Sequence, residues 1–179
     1  MDDFSLNEGF IWFDGKLVDW KETKIHVLTH GLHYASSVFE GERCYEGKVF
    51  RELEHTKRLH HSANTLGFEI PYSIEEICEI RKIVLEANNI KNGYVRPVAW
   101  RGSEMMGISA QKNKIHLAVA AWEWPSYYTP EARLKGIKLQ LAKWKRPSPE
   151  TAPVSTKSAG LYMICTLAKH EAERNGCED

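Results

Sequence analysis

Two short runs favouring extended structure, Phe10-Ile11-Trp12-Phe13 and Lys16-Leu17-Val18-Asp19-Trp20, flank Asp14-Gly15, a pair that tolerates the positive φ angles of a tight turn. They predict an opening β-hairpin. Residues 30–40 read as a helix, with Thr29 as its cap and Gly41 placed to end it. A second hairpin follows, in which Glu46-Gly47 turns between Arg43-Cys44-Tyr45 and Val49-Phe50-Arg51. Over residues 54–66 Leu59, Ala63 and Leu66 recur at helical spacing, leaving Arg58 beside the buried stripe. Ser73-Ile74-Glu75-Glu76 matches the capping box, and Ile77, Ile80, Val84 and Ala87 continue a helical face. Residues 93–100 and 114–122, rich in β-branched and aromatic side chains, predict strands of one sheet.

Helices and antiparallel strands thus alternate in an α+β unit over residues 1–124. Pro125-Ser126-Tyr127-Tyr128-Thr129-Pro130 breaks the pattern, and residues 125–135 read as a linker. Residues 136–144 then predict a strand opening a second, larger domain over 136–179. Pro147, Pro149 and Pro153 make the next segment an extended loop that delivers Lys157 to a fixed place. From Ser158 or Ala159 to Asn175 the pattern is helical, with Leu161, Ile164, Cys165, Ala168 and Ala172 on one face and Gly176 as C-cap. One strand and one helix cannot close a core, so this second domain is expected to be incomplete.

Hydrophobic residues at 42% and charged residues at 27% describe a globular chain. Lys+Arg and Asp+Glu both number 24, which gives no reason to expect a nucleic acid or an anionic membrane as partner. A small molecule is the expected ligand. The acidic start and the lack of any apolar run near roughly 18 residues predict a cytoplasmic protein with no membrane span. Cys44, Cys78, Cys165 and Cys177 are widely spaced, and His30, His33, His55, His60 and His61 lack a completing acidic or cysteine set, so no metal site is expected.

Lys157 stands just ahead of a helix, on a proline-stiffened loop, beside the small residues Ser158, Ala159 and Gly160. Its spacing alone is that of an ordinary solvated lysine. Thr156-Lys157-Ser158-Ala159-Gly160-Leu161-Tyr162, followed by Ala168-Lys169-His170-Glu171-Ala172, nevertheless resembles the cofactor-lysine segment of branched-chain amino-acid aminotransferases of fold type IV. The opening hairpin, His30-Gly31-Leu32-His33-Tyr34 through Ser37-Val38-Phe39-Glu40-Gly41, Gly93-Tyr94-Val95-Arg96-Pro97 and Ala121-Trp122-Glu123-Trp124 extend the resemblance over nearly the whole chain.

The resemblance implies transamination of leucine, isoleucine and valine with 2-oxoglutarate, with pyridoxal 5'-phosphate carried on Lys157. It implies that Arg58 holds the cofactor phosphate, a task suited to a planar guanidinium, and that Tyr162 hydrogen-bonds the cofactor's phenolic oxygen. Lys157 would also move a proton at the substrate's α carbon, so the site has to favour the neutral amine. Phe39, Trp124 and Tyr127 resemble the aromatic lining for a branched side chain. Arg96, with Tyr94 and Arg43 nearby, matches the polar end that meets the distal carboxylate of glutamate. Tyr34 and Ile108 match residues supplied by the neighbouring subunit, which implies a homodimer with shared sites.

The chain ends before the family's acidic partner for the pyridine nitrogen, so residues 1–179 alone are expected to be inactive. A D-amino-acid aminotransferase or an aminodeoxychorismate lyase of the same fold is the alternative within the fold, and a non-catalytic fragment or binding module the alternative outside it. Tyr94, Arg96 and Trp124 favour the branched-chain reading.

Overall fold

The computed structural model describes residues 3–125 and 128–179. Strands β1 (Phe10–Phe13) and β2 (Lys16–Asp19) form the first hairpin, with Asp14 and Gly15 both at positive φ in its turn. Helix α1 (His30–Tyr34) is short, and β3 (Ser37–Phe39), β4 (Glu42–Tyr45) and β5 (Lys48–Val49) follow it. Helices α2 (Glu52–Thr65) and α3 (Ile74–Ala87) precede the long strands β6 (Gly93–Arg101) and β7 (Ile115–Trp122). The seven strands form one antiparallel sheet in the order β2-β1-β7-β6-β4-β5, with β3 also paired to β6.

Helices α2 and α3 cover one face of this sheet. Leu59 and Ala63 of α2 and Ile77, Ile80 and Val84 of α3 meet Val38, Cys44, Val95, Ala99, Leu117 and Val119 in a single apolar cluster. Side chains alternate across a strand, so the same alternation sends Phe39, Arg43, Tyr94, Arg96 and Trp100 to the opposite face. On the helix side the charged pair Glu42–Arg81 is fully buried, with Arg81 Nε and Nη2 each donating at 2.6 Å to the carboxylate and Nη1 donating at 2.8 Å to Thr56 Oγ1. Hydrogen bonds thereby offset the cost of burying both charges.

The expected helix over 30–40 is not continuous. Ala35 adopts a left-handed φ of 52° and ends α1, after which Ser37, Val38 and Phe39 pair with Trp100, Ala99 and Val98. Long-range pairing to an existing strand here outweighs local helical preference. The expected strand over 136–144 is also absent; the Gly136 N–H closes the preceding helical turn on Ala132 O, and Lys138 and Gln140 make backbone hydrogen bonds with Glu178 and Asp179. These few bonds do not extend into a ladder. A short helix α4 (Pro130–Lys135), capped by Thr129 Oγ1 accepting from the Ala132 N–H, stands in the segment read as a linker. After Lys157 a 3-10 turn, Ala159–Tyr162, leads into α5 (Met163–Arg174).

Candidate active site

Residues 156–162 return to the edge of β3. The Phe39 N–H donates to Lys157 O at 3.1 Å, Val38 and Ser158 form an antiparallel bridge, and the Lys157 N–H donates to Ser62 Oγ of α2 at 3.0 Å. Thr156 and Ser158 on either side are buried. The backbone of Lys157 is therefore clamped between a strand and a helix, and a Cβ on Gly160 would come within 3.2 Å of Ala35. The small residues let the loop lie this close.

The Lys157 amine lies 4.8 Å from the Phe39 ring centre and 4.7 Å from that of Tyr162, and its Nζ donates to Tyr162 Oη at 2.5 Å. The two rings themselves meet edge to face at 4.8 Å. The Arg96 guanidinium also sits 4.8 Å from the Phe39 ring centre and donates to Tyr94 Oη at 3.0 Å. Arg96 Nε is buried and has no hydrogen-bond partner among the described residues. A buried unpaired donor is costly unless a ligand satisfies it. Tyr94 continues the line to Trp124, with ring centres 4.9 Å apart, and the Trp124 carbonyl accepts from Arg43 Nη1 at 2.9 Å. A Cβ on Gly41 would collide with the Tyr94 hydroxyl, so this glycine makes room for the phenol rather than ending a helix.

Arg58, half exposed on α2, donates through Nε and Nη2 to the two oxygens of Glu40, both at 2.6 Å. Glu40 is fully buried, and His55 Nδ1 lies 2.9 Å from its Oε2. Burial pushes the Glu40 carboxyl up, but hydrogen bonds from Arg58 and His55, with their charges, outweigh it and hold the carboxyl below its ordinary value. Hydrogen bonding to Glu40 likewise pushes Arg58 further up, and the Tyr162 phenol stands within electrostatic reach of the guanidinium. Lysine amine, phenol and guanidinium thus share one neighbourhood. That donor set suits a ligand carrying both a carbonyl for the amine and an anionic group for the guanidinium.

Lys157, Tyr162, Phe39, Arg96, Tyr94, Trp124 and Arg43 are linked by the contacts above. Tyr34 and Ile108 are not part of that chain of contacts. Tyr34 stacks on His30 with ring centres 4.5 Å apart, and His30 Nε2 lies 3.1 Å from Gly107 O, beside the highly exposed Ile108. Tyr127 lies outside the described residues. Glu40 and His55 are the site neighbours that sequence reasoning missed. A glutamate inside an apolar segment, which must find a cation if buried, was the available signal for the first.

The family model for class IV amino-transferases matches residues 37–179. The chain is 40% identical over 176 residues to a Pseudomonas aeruginosa protein named branched-chain-amino-acid aminotransferase, covering 96% of this chain and 57% of that one. It superposes with a TM-score of 0.91 on the crystal structure of the Escherichia coli branched-chain amino acid aminotransferase, at 37% identity over 96% of this chain and 58% of the other. The same TM-score, at 40% identity and with 96% and 58% covered, relates it to the T.th. branched-chain amino acid aminotransferase solved with pyridoxamine 5'-phosphate. The chain spans somewhat over half the length of these relatives.

Proposed function

The chain belongs to the class IV aminotransferases, which share fold type IV and depend on pyridoxal phosphate, and we propose that the protein containing it transaminates branched-chain L-amino acids with 2-oxoglutarate. The observation that carries this reading is the Lys157 amine, clamped by its backbone to β3 and α2 and hydrogen-bonded to Tyr162 beside Phe39. Pyridoxal phosphate, when bound, supplies an electron sink for the bonds at the substrate's α carbon. Arg58 would hold its phosphate, Tyr162 would hydrogen-bond its phenolic oxygen, and Lys157 would carry it and move the proton at the substrate's α carbon.

Phe39 and Trp124, with Tyr127, supply the apolar wall for a branched side chain. Arg96, Tyr94 and Arg43 supply the polar end that receives the distal carboxylate of glutamate, which the unpaired Arg96 Nε supports. The names of the relatives favour this reading over a D-amino-acid aminotransferase, an aminodeoxychorismate lyase or a non-catalytic module. Residues 1–124 form the small domain, 125–135 the connection, and 136–179 part of the large domain. The protein works as a homodimer in which Tyr34 and Ile108 complete the partner's site, and it resides in the cytoplasm, where the four cysteines of residues 1–179 would stay reduced. No helix among the described residues is long and apolar enough to cross a membrane.

Borohydride reduction of the full-length protein with pyridoxal phosphate, followed by peptide mapping, should place the pyridoxyl group on Lys157. The same protein should exchange amino groups between leucine and 2-oxoglutarate. A label on Lys143 or Lys169, or exchange no faster than with the free cofactor, would overturn the proposal.

A further inference from the structure

Two acid–arginine pairs lie close together, and they are built differently. In Glu42–Arg81 both partners are fully buried, and the guanidinium's remaining reach goes to Thr56, so the pair is closed. In Glu40–Arg58 only the acid is buried, while the arginine side chain is 49% exposed. Glu40 takes the guanidinium by the edge formed by Nε and Nη2. The other edge presents the parallel N–H groups of Nη1 and Nη2; His55 Nδ1 comes within 3.4 Å of Nη2, but its proton is directed to Glu40, so this edge meets no protein acceptor among the described residues. An arginine gripped on one edge and open on the other is a preset anion receptor.

The grip is itself anchored. Glu40 sits in the break between β3 and β4, where its N–H donates to Pro97 O at 2.9 Å, and Gly41 beside it is packed under the Tyr94 phenol. His55, one turn before Arg58 on α2, holds the carboxylate from the same helix. The carboxylate thus accepts from three donor atoms and has little freedom to move, whereas an ungripped Arg58 on a half-exposed helix face would sample many rotamers.

We propose that Glu40 is the positioning residue for Arg58, aiming the open edge of its guanidinium at the cofactor's phosphate, with His55 bracing Glu40. This rests on the reading of Arg58 as the phosphate anchor. It follows that Glu40 governs the preference for a phosphorylated ligand rather than general affinity for the ring.

The test uses the full-length protein and two probes, pyridoxal phosphate and pyridoxal, which differ only in the phosphate; each is titrated by absorbance, with thermal melting as a check on folding. Arg58→Ala should collapse the preference for the phosphorylated probe. Glu40→Gln should lower that preference by about tenfold, the loss expected for one charge-assisted hydrogen bond, and leave pyridoxal affinity nearly unchanged. In the Arg58→Ala background, Glu40→Gln should change the ratio no further. His55→Asn should lower it by less. If Glu40→Gln does not fold, Glu40→Asp, which keeps the charge but withdraws it by one methylene, should lower the same ratio. Equal weakening of both probes, or an unchanged ratio in the Glu40 variants while Arg58→Ala collapses it, would make the pair a structural staple and overturn the inference. A full phosphate preference in Arg58→Ala would instead remove the reading of Arg58 itself.

Discussion

Under the proposed function, Arg96 is the residue at which one pocket would serve two kinds of substrate. Its guanidinium packs against the rings of Phe39 and Tyr94, and Nε is buried without a hydrogen-bond partner among the described residues, so a carboxylate arriving there would satisfy an existing deficit. Arg96→Leu should therefore slow the glutamate or 2-oxoglutarate half-reaction by roughly 1.5–3 kcal/mol while affecting the leucine half-reaction much less, as read by single-turnover absorbance changes. Equal losses in both would count against the assignment. Glu40 gives a second prediction at this scale. Its folded-state pKa lies below the ordinary 4.5, so its contribution to stability is complete above that pH and is lost as pH falls through the lowered value. Below pH 4.5 Glu40→Gln should flatten the dependence of unfolding free energy on pH by up to about 1.4 kcal/mol per pH unit, measured by urea titrations in a pH series. The proposed roles of Lys157 and Tyr162 are suggested by a single motif in the sequence, and that of Arg58 by its place beside the apolar stripe of a predicted helix, read with the family resemblance. That of Glu40 is not, since it depends on a strand break that brings residue 40 against a helix starting a dozen positions later.

Elements whose signals are local are legible in the sequence. The Ser73 capping box forms with both of its hydrogen bonds, and the turns at Asp14-Gly15 and Glu46-Gly47 adopt the positive φ angles expected of them. Elements decided by distant partners are not. The segment over 30–40 has a helical pattern, yet residues 37–39 lie in a strand because β6 offers an edge where β4 has not yet begun. Gly31 lies within α1 and Gly41 beyond it, and the lack of a side chain at each answers close packing, by Trp100 and Tyr94 respectively. The closed Glu42–Arg81 pair, which ties β4 to α3, is equally non-local. Arg81→Met should destabilise the protein by about 3–5 kcal/mol because it strands a buried carboxylate, and adding Glu42→Gln should restore much of that loss. Urea unfolding of the single and double variants checks this; a double variant no better than Arg81→Met would show that packing, not the stranded charge, sets the cost.

At the scale of the whole molecule, the site-bearing face of the sheet is open beyond the Lys157 cluster. An apolar groove of about 400 Å³ runs along it past Phe13, Leu32, Val98 and Trp100 to Arg96. Leu32, Tyr34 and Ile108 stand exposed nearby or on the loop that His30 holds through Gly107. Large exposed apolar side chains grouped around a groove mark a surface that another body covers. If that body is a second copy, Tyr34 and Ile108 of one subunit serve the Lys157 of the other, and a two-fold arrangement makes the exchange reciprocal. Sites shared in this way should complement one another. Full-length Lys157→Ala should be inactive, and a full-length variant combining Tyr34→Ala with Ile108→Asp should be strongly impaired, because each homodimer then lacks an intact site. Mixed and allowed to exchange subunits, they form heterodimers in which one site has lost both contributions while the other pairs a native Lys157 with native Tyr34 and Ile108. Random reassortment puts about half the dimers in this hybrid form, so activity should recover to about a quarter of the unmutated level. Recovery on mixing, followed by leucine-to-2-oxoglutarate exchange against the unmixed variants, is possible only if the catalytic lysine and the completing residues come from different chains. No recovery despite demonstrated subunit exchange would place Tyr34 and Ile108 in the same subunit's site or outside the site altogether.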